Sequence, residues 1–153
     1  MNAPLDLYSE LKADIATLAE PLFDFSEKCL REHGNFLPHA AVLLDDGSVE
    51  LVAAAPESPG GMTNSREVLP LLHGGLRGMA KDRPLAAIAI AENVTVTPDG
   101  EASTAAVKVL FEHRRGLTVA LYLPFRKRLF RGYGFGQTFS VLAQSEVGAW
   151  NAA

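Results

Sequence analysis

Strict alternation of apolar and polar positions is clearest in residues 103–125, "STAAVKVLFEHRRGLTVALYLPF", and it predicts a β-hairpin around which the chain is organised. On the first arm Ala105, Val107, Val109 and Phe111 alternate with Ala106, Lys108, Leu110 and Glu112. On the second, Leu117, Val119, Leu121 and Leu123 alternate with Thr118, Ala120, Tyr122 and Pro124. A period of two, rich in β-branched and aromatic residues, marks strands with one strongly buried face. His113-Arg114-Arg115-Gly116 is a polar connection whose glycine supplies the positive φ of a tight turn. Pro124, which has no donor for a ladder, is expected to end the second arm.

The N-terminal pattern is different. Tyr8, Leu11, Ile15, Leu18, Leu22, Phe25 and Cys29 step alternately by three and four, which puts them on one stripe of a helix. Pro21 removes one intrahelical bond and predicts a kink or a break there. Gly34 is placed to cap the C-terminus. Residues 36–44 and 49–54 follow as a second hairpin across the Asp45-Asp46-Gly47-Ser48 turn. Residues 55–61, "APESPGG", predict a loop, and Asn64 with Glu67 has the spacing of a capping box. The helix after it turns Val68, Leu72, Leu76 and Met79 to one face. Pro70 and Gly74-Gly75 make it poor by propensity, so packing must hold it, with the glycines allowing close approach to a sheet.

From Leu85 the pattern returns to β. Ile88, Ile90, Val94 and Val96 share one parity, and Ala87, Ala89 and Ala91 the other, a small-residue face suited to a helix packed closely on it. Glu92 falls among the isoleucines. It must meet an arginine or tyrosine partner, or be turned out by a bulge at Glu92-Asn93. Residues 133–142 predict one final strand with Tyr133, Phe135, Phe139 and Val141 on a single face, and residues 143–153 a frayed tail or edge segment.

The order α-β-β-α-β-β-β-β predicts an α+β fold with a mostly antiparallel sheet of five or six strands and two helices. Two architectures share that order: a roadblock or profilin-like sandwich, and a nuclear-transport-factor-like cone. The expected organisation is a single domain, 1–153, with a helical segment at 1–34, an α+β core at 36–142 and a tail at 143–153.

Composition narrows the picture. The lone Cys29 among 153 residues forms no intramolecular disulfide, and no apolar run is long enough to span a bilayer. With no signal-peptide pattern at the N-terminus, a cytoplasmic protein without a membrane partner is expected. The net charge of −4 is uneven. Residues 1–101 carry 16 acids and 7 bases, whereas residues 102–131 carry 7 bases against Glu112 alone. Complementary regions on one chain predict a homodimer, and the basic run Arg126-Lys127-Arg128-Leu129-Phe130-Arg131 is expected to meet an acidic helix of its own chain or of a partner subunit. Nucleic acid is not an expected partner: no binding motif accompanies that run, and the acidic first hundred residues repel a polyanion.

The pieces "FLPHAAVLLDDGSV", "LLHGGLRGMA", "VLFEHRRG" and "YGFGQTF" carry a resemblance to a family of small, uncharacterised bacterial proteins. Phe36 and Pro38, Asp46-Gly47, Leu76-Arg77 and residues 111–116 match its motifs, with Phe111 in place of a leucine. The resemblance covers residues 36–142 and implies no activity, cofactor or site.

Candidate chemistry is sparse. His33, His39, His73, His113 and Cys29 contain no pair at metal-ligand spacing, so no metal is expected. Gly132-x-Gly134-x-Gly136 is not a dinucleotide fingerprint, and no cofactor is expected. "HGGL" at 73–76 has no nucleophile motif to serve. What remains is Glu112-His113-Arg114 with Glu92, Tyr122 and Tyr133. The catalytic candidates are Glu92, Glu112, His113 and Tyr122, as acid/base groups lining the cavity of a small enzyme or ligand-binding cone. Against this stands a plainer reading in which Glu112 pairs with Arg114 or Arg115 at the turn and Tyr122 belongs to the core. Glu112 and His113, adjacent on a strand, point to opposite faces. The favoured function is a non-catalytic, self-associating module with a protein or small-molecule partner.

Overall fold

The computed structural model describes residues 3–54, 65–97, 99–130 and 132–150. Helices α1 (Ala3–Glu10) and α2 (Lys12–His33) lead into strands β1 (His39–Leu44) and β2 (Val49–Val52). Helix α3 (Ser65–Asp82) precedes β3 (Leu85–Val96), β4 (Thr104–His113), β5 (Thr118–Lys127), β6 (Tyr133–Phe135) and β7 (Phe139–Leu142). All the strands join one antiparallel, seven-stranded sheet in the order β2-β1-β3-β4-β5, with β6 and β7 both pairing with β5. The sheet curls into a cone-like half-barrel. The α+β class is as expected, with one more helix and one more strand than the pattern predicts.

Alternation along the strands sorts two cores. On one face Ala41, Ala87, Ala89, Ala91, Val107, Val109, Phe111 and Val119 pack under Ile15, Leu18, Leu22 and Leu30 of the N-terminal helices. The alanines do what their size allows and let α2 lie close. On the other face Ala40, Val42, Ile88 and Ile90 pack under Val68, Leu72 and Leu76 of α3. The cone is therefore filled on both sides.

Several local expectations hold. Gly34 caps α2 at φ 75, its N–H donating to Leu30 O at 2.9 Å. Gly47 (φ 88) and Gly116 (φ 95) take the left-handed positions of the two hairpin turns. The loop at 55–61 and the cap at Asn64 lie outside the described residues.

Others are corrected. Helix α2 runs through Pro21 without dividing, and the boundary falls at Leu11 instead. Gly74 and Gly75 are exposed, and a Cβ on either would meet no sheet atom within 4 Å, so they serve no close approach. Pro124 does not end β5, which continues to Lys127. Its carbonyl accepts from Gly136 N at 2.8 Å, so its outer edge faces β6 and β7. β7 stops at Val119–Tyr122 of β5 and β6 starts at Phe125, so the donor that proline lacks falls in the gap between them.

The final strand is also split. β6 pairs Phe125 with Phe135, but β7 pairs Tyr122 with Phe139, one residue out of the register β6 sets. That slip flips parity, so Phe135 and Phe139 lie on opposite faces rather than together.

Candidate functional site

Glu112 is the most constrained of the candidate groups. It lies on the α3 face of β4, 3% exposed, with Ile88 beside it on β3 and Thr118 on β5. A carboxylate buried there needs donors. They come from residues 145–147: the Ser145 hydroxyl donates to Oε1, while the N–H groups of Glu146 (3.0 Å) and Val147 (2.9 Å) both donate to Oε2. Ser145 Oγ in turn accepts from Gly148 N at 3.0 Å, which closes the turn. Arg77 of α3 donates to Val147 O at 3.1 Å from the other side. Val147 is buried, and Ala149 and Trp150 pack against the α3 core. Residues 143–150 are thus a tied strap rather than a frayed tail. The arginines expected beside Glu112 go elsewhere, Arg114 to Asp45 and Arg115 to Glu10 at 2.9 Å.

Glu92, Lys108, Tyr122 and Phe139 stand in one cross-strand row over four strands. Lys108 Nζ lies 3.7 Å from Glu92 and 2.8 Å from Glu146 of the strap. Burial alone lowers an ammonium pKa, but the hydrogen bond and charge of Glu146, aided by Glu92, hold that of Lys108 above its usual value. The Glu92 partner is therefore a lysine, neither the arginine nor the tyrosine expected. The β3–β4 register is continuous through Asn93, so no bulge turns Glu92 outward. Tyr122 stacks on Phe139 with ring centroids 5.2 Å apart.

His113 faces the opposite way, towards α2. Its Nδ1 accepts from Arg115 N at 3.1 Å, which places the proton on Nε2, 3.3 Å from the Asp14 carboxylate. Burial depresses its pKa more than Asp14 raises it. Both nitrogens are occupied, so the ring locks the turn to the helix. His39 does the same at the other end of α2. Nδ1 meets Leu37 O at 2.9 Å and Nε2 meets Ser26 Oγ at 3.3 Å, between the rings of Phe25 and Phe36. Burial pushes its pKa down as well. Tyr133 is on the α2 side, its ring against Phe125 and its hydroxyl near Gly34.

The structure thus brings Glu112, Glu92 and Tyr122 to one face and leaves His113 and Tyr133 on the other. At the end of β4, however, Glu112 and His113 both border a recess of about 330 Å³ with Thr118, Ser145 and Trp150, and neither Glu92 nor Tyr122 lines it. Another recess, about 460 Å³, lies by Thr104, Pro124, Arg126 and Phe139, away from those carboxylates. Among the described residues no group of His, Cys, Asp and Glu is arranged to hold a metal ion, and no helix is long and apolar enough to cross a membrane.

Two surface features escape the pattern of buried positions. At the β5–β6 turn Leu129 and Phe130 are 88% and 90% exposed, beside Arg126, Lys127 and Arg128. Those three cations have no ion pair among the described residues, and Arg131, the last of the run, lies outside them. Secondly, Phe25, Cys29, Phe36, Leu37, Pro38 and Ala54 line a groove of about 370 Å³ between α2 and β1. Only the basic run announced the first of these in the sequence. Compared with known proteins, the chain matches no family model, no curated protein and no solved structure.

Proposed function

We propose that the protein is a non-catalytic, self-associating module, a homodimer in a bacterial cytoplasm that binds a further protein or small molecule. The observation that carries this reading is the pair Leu129 and Phe130, held at a hairpin tip with about nine-tenths of each in water. Large apolar side chains so exposed, next to three cations with no ion pair among the described residues, are what a binding surface presents before it is covered. The groups that acid/base chemistry needs are meanwhile engaged: Glu112 holds the strap, Glu92 holds Lys108, and both nitrogens of His113 are occupied. The free thiol of Cys29 suits a reducing compartment.

Nucleic acid is not the partner in this reading, because the net charge is −4 and the first 101 residues, with 16 acids against 7 bases, repel a polyanion. Light scattering at low and high salt is the direct test, and a monomer mass under both conditions removes the proposal. Fluorescence anisotropy with DNA and RNA at about 0.15 M salt is expected to show no binding at micromolar protein.

A further inference from the structure

We infer that the Leu129–Phe130 tip of one copy seats in the groove between α2 and β1 of a second copy, and reciprocally. This rests on the self-association proposed above and names the two surfaces that make it. The tip is a built feature. Arg128 N donates to Gly132 O at 2.7 Å, closing the turn, and Gly132 takes the left-handed conformation at φ 66. The turn holds both side chains out of their own chain's core. The groove is the matching absence: an apolar channel with Phe25 45% and Leu37 39% exposed on its walls.

Charge favours the same pairing. Helix α2, which forms one wall through Phe25, Cys29 and His33, carries five acids against three bases over its length. One of the bases, Arg31, is engaged over the Phe135 ring at 5.2 Å. The cations flanking the tip have no ion pair among the described residues and approach a helix whose net charge is negative.

Position makes a two-fold exchange possible. The hairpin base leans on the C-terminus of α2, where Tyr133 Oη lies 3.5 Å from the place of a Cβ on Gly34. His33 and Asn35, on either side of that glycine, line the groove. Tip and groove therefore share one end of the molecule, and a rotation axis there lets each copy give one and receive one. An anionic lipid surface would take up the tip alone. It would leave the groove open.

The test uses the full chain in sedimentation equilibrium. Phe130→Ser is expected to weaken dimerisation about tenfold or more, and because Phe130 is exposed the fold is not at stake. Phe25→Ser should do the same, with Leu37→Ser as the second groove variant in case loss of the Phe25–His39 contact disturbs folding. An equimolar mixture of Phe130→Ser with either groove variant should associate more tightly than any of them alone, because the mixed dimer keeps one intact tip and one intact groove. Under oxidation Phe130→Cys should give a disulfide-linked dimer through the native Cys29, lost in the Cys29→Ser background.

A dimer as tight in all three single variants as in the wild type overturns this pairing but leaves self-association standing. So does a cross-linked dimer that persists without Cys29. A monomeric wild type overturns both. A monomer that binds phosphatidylserine vesicles, and loses them in Phe130→Ser, overturns the pairing in favour of lipid.

Discussion

The two faces of the sheet are made by alternate residues of the same strands, yet they are held by different physics. Under α2 the face is built from alanines, valines and Phe111, and its polar members, His39 and His113, are neutral rings tied to Ser26 and Asp14 of that helix. Across the sheet, Glu112, Lys108 and Glu92 sit between the α3 core and a strap that returns from residues 143–150. Both faces are packed, but the second depends as well on donors and charges delivered from far along the chain. Neighbouring residues can therefore fail in different ways.

Phe111 and Glu112 test that contrast most sharply. Phe111→Ala empties a fully buried site and is expected to cost about 3–5 kcal/mol, lowering the denaturation midpoint of the whole molecule. Glu112→Ala leaves the Ser145 hydroxyl and two N–H groups without their acceptor, at about 2–3 kcal/mol. Its signature is local. Trp150, the only tryptophan, packs on the α3 side at the end of the strap, so its emission should shift to the red in Glu112→Ala while the far-UV dichroism persists. An unshifted emission would mean that the carboxylate does not hold the strap.

That difference also marks what the sequence could disclose. The α2 face was legible because periodicity speaks of burial: the stripe from Tyr8 to Cys29, the alanines of β3 and the valines of β4 each declare a side. Glu112 was legible as an oddity and no more, since its donors lie 33 to 35 residues away in a segment with no period. The arginines next to it in sequence were the wrong partners, because the turn carries them out to Asp45 and Glu10. The final strand misled for a related reason. A one-residue slip between β6 and β7 leaves no trace in composition, yet it puts Phe139 with Tyr122 instead of with Phe135. Nor did any pattern foretell the groove, which gathers residues from a helix end, a linker and a strand end.

Acid should strike the α2 face first. His39 and His113 both have folded pKa values below the ordinary imidazole value, so the unfolded chain takes up more protons as pH falls. Their contribution is complete above about pH 6.5 and is lost as pH drops below it. The slope is at most about 1.4 kcal/mol per pH unit for each ring. Chemical denaturation between neutral and mildly acid pH should show stability falling, and His39→Gln should flatten the curve. A curve as steep in that variant would remove His39 from the account.

The smallest effect belongs to Glu146, whose carboxylate is 42% exposed where it meets Lys108. Glu146→Gln should cost under about 1 kcal/mol, less still in high salt, because Glu92 still faces the ammonium. A larger loss measured by urea denaturation would show the strap held by charge more than by the hydrogen bonds to Glu112.

The strap also sets an order of events during synthesis. Glu112 is translated well before Ser145, and at about 5–20 residues per second some two to seven seconds pass with its carboxylate lacking any of those donors. Over that interval the α2 face can assemble from residues already made, whereas the α3 face holds a naked charge that favours water over closure. The nascent chain is therefore expected to mature one side at a time.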